Sequence, residues 1–373
     1  MKPEEIRPPS KRLLSIDTLR GFDMLMIAGA GAFISLLYGK TGWGWVDALA
    51  MQFEHPKWDG FAFYDFIFPL FLFIAGLSIP FSINKSRQLG LSKSNLYGKA
   101  FKRMLILMAL GILYKNAPIP FLDWSKIRFV SVLGRIGFAG FITTVLYLNF
   151  DFNKRIFWIA GLLLFYYAAL FLIPVPGYGA GDLSFEGNLT GWIDRTILPG
   201  RLLQKTYDEL GLFTQIPALC LTVLGSLGGD LLRRAHDGEY KKLRNLVIAG
   251  LICLAIAFVW SLHFPINKHL WSSSFIMLTG GMAFLSLALF YWIIDILQYQ
   301  RWTFFFIVIG LNSLTIYLAY RLINFRYTSR LLFEGLYINA AEKWHPVFES
   351  LGALGLVWVF LYLLYRLKIF VKV

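Results

Sequence analysis

Charge is what this 373-residue chain has least of. Only 16% of its residues are Asp, Glu, Lys or Arg, where a soluble domain needs roughly a quarter to cover its surface. Cysteine is almost absent too. The two present, Cys220 and Cys253, lie inside apolar stretches without metal-ligand spacing, which excludes a secreted disulfide scaffold. There is no Walker loop, no Gly-x-Gly-x-x-Gly, no zinc-ligand set and hence no metal expected, no heptad array and no low-complexity segment. What the chain has instead is apolar residues, 57% of the total with 17% aromatic. They gather in blocks of about 20, the length that crosses a bilayer core. Since a lipid-exposed backbone must satisfy its own hydrogen bonds, the fold class is an all-α polytopic membrane protein.

Ten apolar runs can be placed, at about 18–39, 61–83, 101–118, 130–150, 156–174, 212–232, 245–264, 270–296, 302–323 and 347–369. An even number puts both termini on one side. Basic residues concentrate in loops on the cytoplasmic face, and most of the Lys and Arg collect on the side that carries the N-terminus, so both termini are expected to be cytoplasmic. The net charge of +14 is thereby read as topogenic, with the lipid bilayer and not nucleic acid as the partner. Residues 1–15 form a polar, basic lead-in, and 175–211 is the longest of the outer-face connections, which together are rich in Gly, Pro, Trp and Asp. The simplest organisation is one integral-membrane domain over 1–373, with about ten helices in one bundle.

In such a chain the informative residues are the polar ones that burial should forbid. Asp17, Arg20 and Asp23 open the first run, in Ser15-Ile-Asp-Thr-Leu-Arg-Gly-Phe-Asp. Asp17 and Arg20 are three apart and share a helix face, so they can pair. Next comes His55-Pro-Lys-Trp-Asp-Gly, with Asp65 close behind among aromatics. Histidine is the side chain best suited to moving a proton near neutrality, and Asp59 and Asp65 are candidates to orient its ring. Further polar groups beside spans are Arg135, Asn267 with Lys268 and His269, and Asn312 with Ser313. His236, His263 and His345 have no distinctive neighbours, and Asn188-Leu-Thr fits the pattern of an N-glycosylation acceptor. From residues alone these features define a membrane protein with an ionisable site near the outer face. They leave an acyltransferase and a transporter both open.

An ordered set of motifs goes further. Ser15-Ile-Asp-Thr-Leu-Arg-Gly, His55-Pro-Lys-Trp-Asp-Gly and Asp65-Phe-Ile-Phe-Pro-Leu-Phe-Leu-Phe-Ile-Ala-Gly-Leu-Ser come first. Gly177-Tyr-Gly, Thr190-Gly-Trp-Ile-Asp-Arg, Tyr207-Asp, Pro265-Ile-Asn-Lys-His-Leu-Trp-Ser-Ser-Ser and Gly310-Leu-Asn-Ser-Leu follow. Together they resemble the heparan-α-glucosaminide N-acetyltransferase family, within the wider group of membrane acyltransferases, and the chain looks similar to its compact bacterial members. The resemblance implies an enzyme that takes acetyl from cytosolic acetyl-CoA and places it on the amine of terminal glucosamine across the membrane. His55 would be its catalytic histidine, as base or acyl carrier, with Asp65 orienting it. Asp17, Arg20, Trp58, Asp59, Asn267, Trp271 and Asn312 would line the substrate cavity. Lys102, Arg103 and Arg135 would meet the phosphates of CoA. The chain departs from the animal pattern twice: Ala28 to Ala32 is a Gly/Ala run where an asparagine is expected, and Asp208-Glu-Leu-Gly stands for Asp-Pro-Glu-Gly.

Two other readings share these residues. One is a transporter of N-acetylglucosamine or a related amino sugar, with His55 and Asp65 as a proton-coupled pair; the lack of an internal repeat argues against it. The other is O-acylation of a surface glycan, which keeps the donor and changes the acceptor. A bacterial inner membrane is the expected location, and a second copy of the chain is a candidate partner.

Overall fold

The computed structural model describes residues 13–119, 123–234 and 236–371; most of the 1–15 lead-in lies outside them. Among the described residues the chain is helical throughout, with isolated β-bridges and no strand. The helices are α1 Leu14–Leu25, α2 Gly31–Ser35, α3 Gly44–Met51, α4 Phe63–Gln88, α5 Lys93–Asn116, α6 Val132–Asn149, α7 Phe152–Leu172, α8 Leu189–Ile197, α9 Gln215–Arg233 and α10 Glu239–Ser261. They continue as α11 Ser273–Tyr291, α12 Thr303–Leu311, α13 Ser313–Leu322, α14 Phe325–Tyr337 and α15 His345–Arg366. Small polar side chains start many of them. Ser92, Ser131, Asp151, Asn188 and Ser272 each accept a backbone N–H from the first turn of the helix that follows. For Asn188 this role consumes the side chain: it is fully buried, which leaves no room for a glycan.

Among the described residues seven helices are long and apolar enough to cross a membrane, and eight if α12 and α13, bent by 67° across Asn312, form one span. Ten runs were expected, and the difference has physical causes. The first run breaks at Gly29, whose φ of +119° interrupts the helix and leaves α1 with 12 residues. The third becomes α5, which is long but carries Lys93, Lys99, Lys102, Arg103 and Lys115.

Two helices form the centre. α9 and α4 are the most enclosed of the spans, whereas α7, α10 and α15 keep most of their surface outside the fold. Backbones touch along the α4–α9 seam: a Cβ on Gly76 would fall on the Thr222 carbonyl, and one on Gly225 on the Phe73 carbonyl. Small residues are the means by which membrane helices approach closely, because lipid offers no hydrophobic drive for their association.

Candidate active site at one end of the bundle

His55 lies on the loop that precedes α4, and Asp65 sits in the first turn of that helix. One Asp65 oxygen, Oδ2, accepts the Ala62 N–H at 2.9 Å, as an acidic residue at a helix start should. That bond fixes the carboxylate so that Oδ1 faces His55 Nδ1 at 2.6 Å. Asp65 is buried and the imidazole is 43% exposed, so one member is held by protein while the other is reachable. On one face the ring stacks on Tyr64, with centroids 5.1 Å apart. Tyr64 in turn lies against Gly31, where a Cβ would strike its ring. The Gly/Ala run is therefore one side chain removed from His55.

The loop between α10 and α11 completes the cluster. It is tied to the His55 loop by Gly60 N–H donating to the Ile266 carbonyl and by Asn267 Nδ2 donating to Asp59 Oδ1, both at 3.0 Å. Asn267 Oδ1 also accepts the Leu270 N–H. This lacing brings Lys268 Nζ to 3.2 Å from Asp65 Oδ1 and to 3.2 Å from each nitrogen of His55. His269, one residue on, stacks on Trp58 with planes 7° apart. Its Nδ1 meets Glu209 Oε1 at 2.9 Å and the Tyr207 hydroxyl at 2.8 Å, and its Nε2 faces the Pro56 carbonyl at 3.4 Å. Burial would raise the Glu209 carboxyl, but the His269 hydrogen bond and the nearby charges of Lys268 and His269 outweigh it. They hold the group below the ordinary glutamate range.

A third loop, 198–214, presents Tyr207 and Glu209. Between them Asp208 points inward, where Arg128 grips it through two hydrogen bonds of 2.7 and 2.6 Å. Asp208 also accepts the Leu203 and Leu210 N–H groups. Beside it the buried Asp194 accepts the Leu212 and Asp208 N–H groups. Burial first, and then the nearness of Asp208, push the Asp194 carboxyl up to about 7 against the pull of those N–H bonds and of Arg135. The tight packing needs Gly211, since a Cβ there would land on the Asp194 carboxylate.

The other residues read from the sequence divide into three groups. Trp58, Asp59 and Asn267 are in the cluster. Asp17 and Arg20 pair at 3.1 Å on α1, and Arg20 donates to Ser78 on α4 at 2.8 Å. Ser78 lines a cavity of about 510 Å³ between α4, α5 and α6, whose walls include Ser82, Ser86, Lys99, Lys102 and Arg103. Arg103 lies within electrostatic reach of Arg20. This places Lys102 and Arg103 together at a cavity, but not Arg135. Arg135 is buried under the loops, its guanidinium 4.4 Å from the Trp271 ring centroid and bonded to Thr214 Oγ1 at 2.5 Å. Its neighbours Ile136 and Gly137 line the cavity while Arg135 faces away. Trp271 is likewise enclosed, between Arg135, Phe68 and Phe275. Asn312 sits in the α12–α13 break and donates to the Ile369 carbonyl, a structural tie away from the His55 cluster. Lys268 and His269 were visible as polar residues beside spans and Tyr207 and Glu209 as members of motifs, yet nothing in their spacing assigned them to His55.

The comparisons with known proteins agree with the resemblance. Residues 12–121 match a family model described as a domain of unknown function, DUF5009. The chain is 29% identical to heparan-alpha-glucosaminide N-acetyltransferase of Homo sapiens, over 98% of this chain and 60% of that protein. It is 28% identical to the protein of the same name from Mus musculus, over 100% of this chain and 62% of that one. The chain thus spans about 60% of the length of the curated relatives it matches. The resemblance carried by its motifs extends along nearly the whole chain, which is similar throughout to the heparan-alpha-glucosaminide N-acetyltransferases.

Proposed function

We propose that the protein is a transmembrane N-acetyltransferase. It moves acetyl from cytosolic acetyl-CoA, a donor substrate, to the amine of glucosamine or a glucosamine-terminated glycan on the outer side. The observation that carries this reading is the 2.6 Å contact of an exposed imidazole with a buried, capped carboxylate, Nδ1 of His55 with Oδ1 of Asp65.

An imidazole whose Nδ1–H is held by a carboxylate keeps its Nε2 lone pair for a proton or an acyl group. Asp65 fixes that tautomer. In the direct route the amine lone pair forms the N–C bond to the thioester carbonyl, and His55 Nε2 takes the proton the nitrogen sheds. The carbonyl pair returns from oxygen as the C–S bond breaks, and CoA leaves with the sulfur pair. The donor suits the cavity between α4, α5 and α6. Lys99, Lys102 and Arg103 offer cations to phosphates, while Ser78, Ser82 and Ser86 offer hydroxyls along one wall of α4. The cavity reaches Ala75, ten residues along α4 from Asp65, or about 15 Å at the helical rise. An extended thioester arm rather than a bulky nucleotide would cover that gap.

The test uses purified protein in sealed liposomes with labelled acetyl-CoA on one side and glucosamine on the other. Labelled N-acetylglucosamine on the acceptor side from wild type, and a loss of about 10²- to 10⁴-fold in His55→Ala, is the expected result. Uptake of labelled N-acetylglucosamine without acetyl transfer would replace this reading with a transporter.

A further inference from the structure

The two imidazoles of the cluster face opposite surroundings. Around His55, Nδ1 meets the Asp65 carboxylate, which takes its proton, and the Lys268 ammonium, which can only donate and disfavours a second positive charge, lies 3.2 Å from both ring nitrogens. That environment suits a neutral ring with a lone pair on Nε2. Around His269, Nδ1 meets the Glu209 carboxylate at 2.9 Å and the Tyr207 hydroxyl at 2.8 Å, and Nε2 meets the Pro56 carbonyl; the carboxylate and the carbonyl only accept, and the hydroxyl can accept as well. That environment suits a ring protonated on both nitrogens. The charges close on the same assignment. Asp65 and Glu209 supply two negatives, and Lys268 with a protonated His269 supplies two positives, leaving His55 neutral. Asp208 is already matched by Arg128, and Lys57 and Asp59 are exposed to solvent. Neighbouring titratable groups whose surroundings favour opposite protonation states are how one site runs acid and base chemistry at a single pH.

We propose that His269 is the acid that partners His55, donating its Nε2 proton to the departing thiolate. The inference rests on the acetyl-transfer reading. The Nε2 contact with Pro56 is long at 3.4 Å, so that proton is weakly held and can be redirected to a substrate atom. As the C–S bond breaks, sulfur leaves with the bonding pair and takes the His269 Nε2 proton, while His55 Nε2 holds the proton shed by the amine. One turnover leaves His55 protonated and His269 neutral, and exchange with water at the open face of His55 restores both. Glu209, Tyr207 and the stacked Trp58 are positioning residues that hold the His269 ring.

The experiment measures kcat/KM for acetyl-CoA against pH in proteoliposomes for wild type, His55→Ala, His269→Gln and Glu209→Gln. Wild type is expected to give a bell. In His269→Gln the rate at neutral pH falls by about 10²- to 10⁴-fold, the usual range for a lost proton donor, and the basic limb disappears. Glu209→Gln keeps the histidine but moves the basic limb to lower pH, because the carboxylate no longer stabilises the protonated ring. A bell of unchanged shape in His269→Gln, whatever its height, or an unmoved basic limb in Glu209→Gln, overturns the assignment. If His269→Gln does not fold, Glu209→Gln decides alone. Wild type that acetylates no amine defeats the acetyl-transfer reading, and this inference with it.

Discussion

Along the α4–α9 seam the chain joins its parts by shape, with backbone against backbone at glycines, whereas at the end that carries His55 it joins them with charge. At the seam Gly76 and Gly225 bring backbone against backbone. At the loop end Arg128 holds Asp208 and Lys268 holds Asp65. The first arrangement depends on shape and tolerates no added volume. The second depends on pairing and tolerates volume but not an orphaned charge.

The sharpest way to break the comparison is to add bulk at the seam. Gly225→Leu has no space to relax into, because the obstruction is the Phe73 carbonyl rather than a movable side chain. Overpacking of even adjustable cores costs about 1–3 kcal/mol, and this position is expected to exceed that. Size-exclusion chromatography in detergent should show no monodisperse protein; a folded, active variant would mean that the helices can separate.

At the loop end the corresponding break is Arg128→Met, which keeps volume and removes the cation. It strands the fully buried Asp208, and removing one partner of a buried pair costs about 3–5 kcal/mol. The expected outcome is a large drop in detergent melting temperature together with weakened acetyl transfer, since loop 198–214 also carries Tyr207 and Glu209. Arg128→Met with Asp208→Leu should regain most of the stability, because it is the unmatched charge and not the missing bond that does the damage.

A smaller perturbation separates architecture from chemistry within the same end. Lys268→Met removes the ammonium that faces both His55 nitrogens and leaves the loop lacing through Asn267 intact. Without that cation the imidazole accepts a proton more readily. The acid limb of kcat/KM is therefore expected to move to higher pH, with a loss of roughly tenfold on that limb, the equivalent of about 1.4 kcal/mol. Melting temperature should fall less than in Arg128→Met, because Asp65 keeps the Ala62 N–H and His55 Nδ1 as partners; an equal fall would make Lys268 a structural residue instead.

What could be read from the sequence follows the same division. The helices, their apolar runs and the His55–Asp65 pair were legible because each is local: a periodicity, or two residues ten apart. The break at Gly29 was not, since a Gly/Ala run is equally compatible with an unbroken helix until tertiary packing chooses. The partners at the loop end were hidden by separation. Lys268 lies 213 residues from His55, and Asp208 lies 80 from Arg128. Charge sign without position also misled. Arg135 was grouped with Lys102 and Arg103 as a cation near a span, but its place on α6 turns it under Trp271 and away from the cavity those two line.

Asp194 offers the finest test, because here the loop end holds a charge without a matching cation in contact. Its carboxyl is pushed up to about 7 by burial and by Asp208, far above the ordinary aspartate value of about 3.9 that it regains on unfolding. A raised carboxyl pKa means that the folded state binds the proton more tightly. Stability from this group is therefore full below about 4, declines as pH rises toward about 7, and is flat beyond that. Asp194→Asn cannot ionise, so it should lack this decline. The amide can still accept the Leu212 N–H but meets the Asp208 N–H with a donor or not at all, a loss of about 1–2 kcal/mol. At pH 5 the variant should thus melt below wild type, and by pH 8 the gap should close or reverse. Parallel melting curves at both pH values would show Asp194 to be ionised throughout, and its burial to be compensated, if they failed to converge.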